Sequence, residues 1–185
     1  MKKSIRITND FCPQSLFVFG THLADDTPNF GLFSWLSYYW DGELCVMAAI
    51  GGSKTTRERI KATGIFSANL VTEELLPLAD YFGNKKALGK TPVFEVEKGQ
   101  TLDVPILAKS PWVFELEVAQ SLEMNNGEVL LCKVRNVLAE EFLTDEAISI
   151  EERANKIRPV STIGMAYFNR NGTVAGGWGE PMKTL

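Results

Sequence analysis

The chain has 185 residues, a formal net charge of −4 and one histidine, and its length is that of a single domain over residues 1–185. The acidic balance argues against an electrostatic nucleic-acid binder, which would present a basic face. The lone His22 excludes a histidine-rich metal site and disfavours a Ser-His-Asp triad, so any difficult chemistry would belong to a cofactor.

Targeting signals are absent from the pattern. The two lysines near the N-terminus have no apolar stretch behind them, so they do not form a signal peptide, and no apolar run is long enough for a membrane span. Cys12, Cys45 and Cys132 lack the spacing of a zinc or redox pair, and the last two lie in apolar runs typical of buried thiols. We expect a cytoplasmic protein that holds no metal.

The first half of the chain divides into short elements. An apolar run at residues 16–20 predicts a first strand, and Asp25, Asp26, Pro28 and Asn29 predict a loop. Residues 30–40 are rich in aromatic side chains, with ambiguous periodicity. The further predictions are a buried strand at 44–50, a helix at 55–63, a strand at 66–71 and a short or kinked helix at 72–82.

The second half is mostly β. After a surface excursion at residues 83–99, residues 113–122 alternate, with Glu115 and Glu117 on one face, and Asn125-Asn126-Gly127 predicts a tight turn before a return strand at 128–137. Short helical content is expected at 144–156 and a final strand at 173–178. The whole predicts a mainly β domain, an antiparallel barrel with a few short helices.

The run GGSKTTRERI at residues 51–60 is the first candidate site. Two glycines end a buried strand, and Thr55 with Glu58 three residues later forms a capping-box pattern that opens a helix. Free backbone N–H groups and the positive helix end suit phosphate. The alternative is an ordinary capped helix with a solvated basic turn. The spacings of a P-loop and of a Rossmann dinucleotide site are both missing.

Two further features could face a ligand. In Asn29-Phe30-Gly31-Leu32-Phe33-Ser34-Trp35, the glycine lets backbone amides approach a flat ligand, and Trp35 or Phe33 could pack against it. The alternative is that these aromatic residues are core. Asn69, at the edge of an apolar strand, could bond a heterocycle or merely end the strand.

Taken in chain order, the first strand, NFGLFSWLS, LCVMAAI, SKTTRERI and GIFSANL resemble the flavin reductase-like family over residues 13–140. The most specific agreement falls on Thr56, Ile60, Phe66 and Asn69. The resemblance implies an FMN-binding split β-barrel. It also implies a homodimer with the flavin at the subunit interface.

The resemblance also implies which residues bind FMN. The hydroxyl residues at 53, 55 and 56 would bind the phosphate, with Lys54 or Arg57 nearby, and the backbone of residues 29–34 would face the isoalloxazine ring. Asn69 would lie near the flavin, and Lys90 matches a basic position after the second helix of the family. The full set is Asn29, Phe30, Gly31, Leu32, Phe33, Ser34, Ser53, Lys54, Thr55, Thr56, Arg57, Asn69 and Lys90. No protein side chain is expected to act as a catalytic acid or base, because the flavin carries the chemistry.

Three functions remain open on the sequence. The leading one is an FMN-binding oxidoreductase that transfers hydride or electrons through the flavin, either as an NAD(P)H-dependent FMN reductase or as a flavoredoxin-like electron-transfer flavoprotein. The second is a non-catalytic FMN electron carrier with a redox partner protein, and the third is a cofactor-free binding barrel. Reductase members often carry Gly-Asp-His after the hairpin, at the nicotinamide site, whereas this chain has Gly127-Glu128-Val129. This difference weakens the argument for NAD(P)H-dependent turnover more than it weakens the argument for flavin binding.

Overall fold

The computed structural model describes residues 1–84, 91–164 and 166–170. The helices are α1 Thr55–Thr63, α2 Leu76–Gly83, α3 Glu141–Thr144 and α4 Ile150–Ile157. The strands are β1 Gln14–Ser15, β2 Phe17–His22, β3 Pro28–Phe33, β4 Leu36–Trp40, β5 Leu44–Gly51, β6 Ile65–Leu70, β7 Val96–Lys98, β8 Pro105–Leu107, β9 Trp112–Met124, β10 Gly127–Ala139, β11 Val160–Ile163 and β12 Ala166–Asn169.

The main sheet has seven strands in the order β3-β2-β6-β9-β10-β5-β4, and every pairing is antiparallel. Its two edge strands, β3 and β4, are consecutive in the chain and are joined only by Ser34 and Trp35. The sheet must therefore curl until its edges approach at that link, which gives an incompletely closed barrel. The predicted mainly β, antiparallel split barrel with a few short helices is confirmed.

Alternating side chains fill the inside of the barrel. Val46, Ala48 and Ile50 of β5 point inward and are buried, whereas Met47 between them is exposed. They pack with Phe17 and Phe19 of β2 in the main core cluster. A second cluster lies under α2 and β3. Each buried aliphatic or aromatic side chain contributes about 1.5–3 kcal/mol by removal from water.

The β9–β10 hairpin is the longest pairing, and its turn lies at Asn125 and Asn126 as the sequence predicts. Glu115 of β9 is fully buried. Its carboxylate accepts the backbone N–H groups of Gln100, Thr101 and Leu102 at 2.9, 2.8 and 2.5 Å and the Asn136 amide at 3.0 Å. The hairpin therefore anchors the loop that leads into β8.

Other predicted elements hold with local corrections. The aromatic segment forms two strands, β3 and β4, and Pro28 and Asn29 belong to β3 rather than to the predicted loop. Helix α2 begins at Leu76 because Pro77 fits the first turn, where no intrahelical N–H bond is needed.

Three expectations concern targeting, cysteines and the C-terminal region. Cys45 and Cys132 are buried free thiols, as predicted, and Cys12 is exposed. In the described part of the chain no helix has the length and apolarity that a membrane crossing requires. The predicted strand at 173–178 lies outside the described residues.

Candidate functional site

The edge strand β3 forms one side of the candidate site. Among the described residues its only sheet neighbour is β2, so one side of its backbone is not used by the sheet. Phe30 and Phe33 are core residues. The Phe33 ring stacks on Phe19 with centroids 4.5 Å apart, and the Phe30 ring lies 5.3 Å from Phe82. A ligand beside this segment would therefore meet the backbone of β3 rather than the packed faces of those rings.

A cleft of about 490 Å³ lies where β3 ends and β5 turns into α1. It brings together the two stretches that the sequence analysis singled out separately. Its lining residues are Leu32, Phe33, Ser34, Trp35, Ala49, Gly51, Gly52, Lys54 and Asn126. We call it the β3–α1 cleft.

Ala49 and Asn126 of this lining were missed by the sequence analysis. Asn126 sits in the hairpin turn, more than seventy positions after Gly52, and its carbonyl accepts the Gly52 N–H at 3.0 Å. No local pattern signals such a long-range contact. Ala49 lies in an unbroken apolar run, and only the strand register assigns its side to the cleft.

Helix α1 begins without the predicted capping box. Lys54 is the N-cap, with extended backbone, and no side chain caps the helix. Thr55 is already the first helical residue, so its hydroxyl does not stand where an N-cap oxygen would. The first intrahelical bond runs from Glu58 N–H to Lys54 O at 3.1 Å, which leaves the N–H groups of residues 55–57 ahead of it. These groups and the positive helix end suit an anion.

The side chains at this helix start divide into free and engaged groups. Within the ranges that the structure describes, Ser53, Lys54 and Thr55 are exposed and their side chains make no hydrogen bond or ion pair. Arg57, in contrast, donates from Nε to Glu128 at 3.3 Å and from Nη1 to the Gly52 carbonyl at 3.3 Å. Among the predicted phosphate-binding residues that the structure describes, Lys54 is therefore the cation without a partner. Arg57 instead holds the turn at Gly52 through its bond to the Gly52 carbonyl.

Thr56 joins α1 to β3. Its buried hydroxyl accepts a hydrogen bond from the Asn29 amide at 3.1 Å, and the same amide donates to Thr21 at 3.2 Å. Gly31 is required beside this bond, because a Cβ there would stand 2.9 Å from the Thr56 hydroxyl oxygen. The hydrogen bond between Asn29 and Thr56 thus fixes the position of β3 relative to α1, the two elements on either side of the site.

The expected role of Asn69 is not supported by its surroundings. Asn69 is fully buried, and its amide donates to the Val18 carbonyl at 2.9 Å and to Ser67 at 3.0 Å. Its own carbonyl accepts the Leu107 N–H at 2.9 Å. These bonds use the whole side-chain amide to join β6 to β2 and β8, so we leave Asn69 out of the proposed cofactor contacts. Lys90 lies outside the described residues.

Two other clefts lie near these elements. One, of about 430 Å³, shares Leu32, Phe33 and Ser34 with the β3–α1 cleft but opens toward α2 and Tyr167. Burial, together with the hydrogen bond from its hydroxyl to Asp80 at 2.5 Å, raises the pKa of Tyr167 to about 12. A larger apolar cleft of about 580 Å³ lies between α2 and β8. Neither contains the helix start with its free cation.

The fold is that of a split-barrel protein, and its β3–α1 cleft combines apolar surface with donors and a cation that suit a flat ligand carrying an anionic group. The family model described as flavin reductase like domain matches residues 10–171. The chain belongs to this family, as the sequence resemblance implied. No curated protein matches the chain significantly.

Solved structures agree on the fold. Flavoredoxin from Methanosarcina acetivorans superposes with a TM-score of 0.82 at 20% identity, covering 99% of each chain. Flavoredoxin of Desulfovibrio vulgaris (Miyazaki F) gives 0.80 at 21% identity, covering 98% of this chain and 100% of the other. An FMN-binding protein from Thermus thermophilus, with bound p-hydroxybenzaldehyde, gives 0.74 at 17% identity, covering 96% and 97%.

Proposed function

We propose that this chain binds FMN in the β3–α1 cleft and works as a flavoprotein oxidoreductase that passes hydride or electrons through the flavin. One observation carries the proposal. An apolar cleft that ends at an uncapped helix start with the free cation Lys54 lies in a member of the flavin reductase-like family. The printed name of the Thermus thermophilus neighbour, an FMN-binding protein, supports the choice of FMN.

The residues of the cleft fit this cofactor. A Cβ added to Gly51 would stand 3.6 Å from the Trp35 ring and 3.9 Å from the Asn126 carbonyl, so the missing side chain keeps space open between them. Leu32 and Ala49 offer apolar surface for a flat ring system. The N–H groups of residues 55–57, the hydroxyls of Ser53 and Thr55 and the ammonium of Lys54 are donors of the kind that bind a phosphate.

Bound FMN would supply hydride and electron chemistry that no side chain of this protein can perform. The chain's own residues would bind and orient. The exposed edge of β3 would offer backbone groups to the ring, and Trp35, half exposed at 52%, would cover one side of the cleft. No side chain is needed as a general base, which agrees with a sequence that has one histidine.

We further propose a homodimer with the cleft at its interface. Trp35, Met47, Leu122 and Met124 are exposed apolar residues on one outer face of the sheet, as the β5–β10 and β9–β10 registers and the proximity of the Trp35 ring to Gly51 indicate. Trp35 belongs both to this face and to the β3–α1 cleft. A second copy on this face would bury it and wall the cleft. Sedimentation equilibrium should give twice the mass of 20.5 kDa, and Leu122→Glu should give the monomer.

The electron donor separates two versions of the function. Val129 stands where reductase members often carry histidine, and it lies between Ala49 and Leu122 in the sheet register. This apolar site favours the second candidate, an electron carrier that exchanges with a protein partner. Steady-state oxidation of NADH and NADPH with excess FMN distinguishes the two: turnover supports the reductase, and a reducible flavin without turnover supports the carrier.

The buried free thiols Cys45 and Cys132 support a reducing, cytoplasmic location for either kind of protein.

Binding itself is tested by absorbance. After incubation with FMN and removal of free ligand, the protein should retain a chromophore with a maximum at about 450 nm, the flavin absorption region. Parallel incubation with riboflavin, which lacks the phosphate, should leave less chromophore. A colourless protein after both incubations would contradict the proposal.

A further inference from the structure

The turn that precedes α1 is held by the β9–β10 hairpin from two sides. Gly52 has a φ of +72°, a left-handed conformation that glycine adopts without strain. Its N–H donates to the Asn126 carbonyl at 3.0 Å. Its carbonyl accepts from Arg57 Nη1 at 3.3 Å. Both peptide groups around Gly52 are therefore fixed, and the residues that follow it are those of the proposed phosphate site.

Arg57 is itself held by a buried carboxylate on the same hairpin. Its Nε donates to Glu128 Oε2 at 3.3 Å, and the side chain of Glu128 is only 3% exposed. The Ser121 hydroxyl, on the neighbouring strand, donates to the other carboxylate oxygen. A chain of contacts thus runs from Ser121 through Glu128 and Arg57 to the carbonyl of Gly52.

This chain of contacts restricts what Arg57 can do. If Arg57 swung outward to meet a phosphate, it would leave the Glu128 carboxylate buried without its cation, which is strongly unfavourable. Arg57 would also release the Gly52 carbonyl, and with it the direction in which the following N–H groups point. We therefore expect the Arg57 guanidinium to keep its bonds to Glu128 and to the Gly52 carbonyl when an anion binds, and not to contact the anion itself.

We propose that Glu128 is a positioning residue for phosphate recognition, acting through Arg57 on the Gly52 turn. This inference rests on the proposed function and adds to it a long-range determinant of the preference for FMN over riboflavin. The alternative is that the ion pair only stabilises the fold. The two roles predict different ratios of the FMN and riboflavin dissociation constants. A general loss of structure weakens the binding of both flavins, whereas a displaced turn weakens the binding of only the flavin that carries the phosphate.

The test compares the dissociation constants of FMN and riboflavin for the wild-type chain and Glu128→Gln, at a temperature where circular dichroism shows both to be folded. The amide keeps an acceptor oxygen but removes the negative charge that holds Arg57. We expect the FMN dissociation constant to rise about tenfold, a coupling of ordinary size, with the riboflavin constant unchanged within about twofold.

Glu117→Gln is the matched control. Glu117 lies on the same hairpin and forms an ion pair with Arg135, and in the part of the chain that the structure describes neither of them forms a hydrogen bond or an ion pair with Arg57 or with residues 51–54. It should leave both constants unchanged. If Glu128→Gln fails to fold, Arg57→Lys tests the same contacts, because one ammonium cannot replace the guanidinium at both Glu128 and Gly52. The same loss, selective for FMN, is expected.

Equal losses of FMN and riboflavin affinity, or no loss of either in a folded variant, would overturn the inference and leave the proposed function intact. A wild-type chain that binds neither flavin would overturn the proposed function, and this inference with it. The double variant Glu128→Gln, Arg57→Lys adds a check. Its FMN affinity should be no weaker than that of the weaker single variant, since both act through one path.

Discussion

The side-chain amide of Asn29 donates a hydrogen bond to the hydroxyl of Thr56 over 3.1 Å, and both residues are buried. This bond connects the edge strand β3 to the first turn of α1, which lie twenty-seven positions apart in the chain. The two flanks of the β3–α1 cleft are thus fixed relative to one another inside the protein, before any ligand is bound.

Thr56→Val should destabilise the fold by about 2 kcal/mol, because it leaves a buried amide hydrogen of Asn29 without that acceptor. Thr56→Ser keeps the oxygen and loses one methyl group, which costs about 0.8 kcal/mol. Urea unfolding of the three proteins measures both differences. A valine variant as stable as the serine variant would show that the hydrogen bond contributes nothing.

Gly52 and Gly64 provide a matched pair for the turn. Both have positive φ, +72° and +74°, and a Cβ at either would meet no atom within 4 Å. Substitution of either glycine by alanine should therefore lower the free energy of unfolding by a similar amount, about 1 kcal/mol, because of backbone strain. Only Gly52 precedes the helix start, whereas Gly64 ends the helix at its other end.

Gly52→Ala should lower FMN affinity severalfold, and Gly64→Ala should leave FMN affinity unchanged at equal loss of stability. Fluorescence titration and thermal unfolding of the same samples give the two quantities. Equal affinities for the two variants would argue that the turn does not contact the ligand.

Lys54→Met should weaken FMN binding about tenfold, equivalent to about 1.4 kcal/mol, since it removes the free cation beside the helix start. Riboflavin binding should not change. Lys109→Met is the control for net charge, because Lys109 is paired with Glu74 and lines a different cleft. Isothermal titration of both variants with both flavins checks the prediction, and an equal effect of the two substitutions would refute it.

Glu115 should make stability depend on acid pH. Burial alone raises the pKa of this carboxyl, but the N–H groups of residues 100–102 and the Asn136 amide outweigh burial and hold the pKa below its ordinary value. A carboxylate with a lowered folded pKa stabilises the fold above its unfolded pKa, about 4.3, and loses that contribution as the pH falls through the folded pKa.

Glu115→Gln should therefore lower the free energy of unfolding by about 2–3 kcal/mol at pH 7, and the difference from wild type should shrink below about pH 4.3. Urea unfolding at a series of pH values measures it. Glu117→Gln, which removes only a partly exposed pair with Arg135, should cost less than about 0.5 kcal/mol. A pH-independent difference for Glu115→Gln would contradict the assignment.

Local signals in the sequence predict most helices and strands, but they do not predict which distant residues come together at the site. Helix α1 has the predicted bounds, because Ile60 and the glycine at 64 define it locally. The capping box fails because Lys54, not Thr55, takes the N-cap conformation. The engagement of Arg57 by Glu128 and the internal use of Asn69 depend on strands brought together over long distances, and no spacing in the chain records them.

The burial of Glu115 illustrates the same limit. Alternation places it on one face with Glu117, yet only Glu115 is buried, because the loop at residues 100–102 turns its N–H groups toward that position alone. Residue type and period predict which face a side chain occupies. They do not predict which neighbour covers that face.

Amide chemical shifts show residue by residue whether FMN binds in the β3–α1 cleft. In ¹H–¹⁵N spectra recorded during an FMN titration, we expect the resonances of residues 32–35, 51–56 and Asn126 to shift together. Riboflavin should reproduce the shifts at 32–35 but not those at 53–56. If shifts are confined to Leu78, Phe94 and Leu107, which line the larger cleft between α2 and β8, or if no resonance shifts, then FMN does not bind in the β3–α1 cleft.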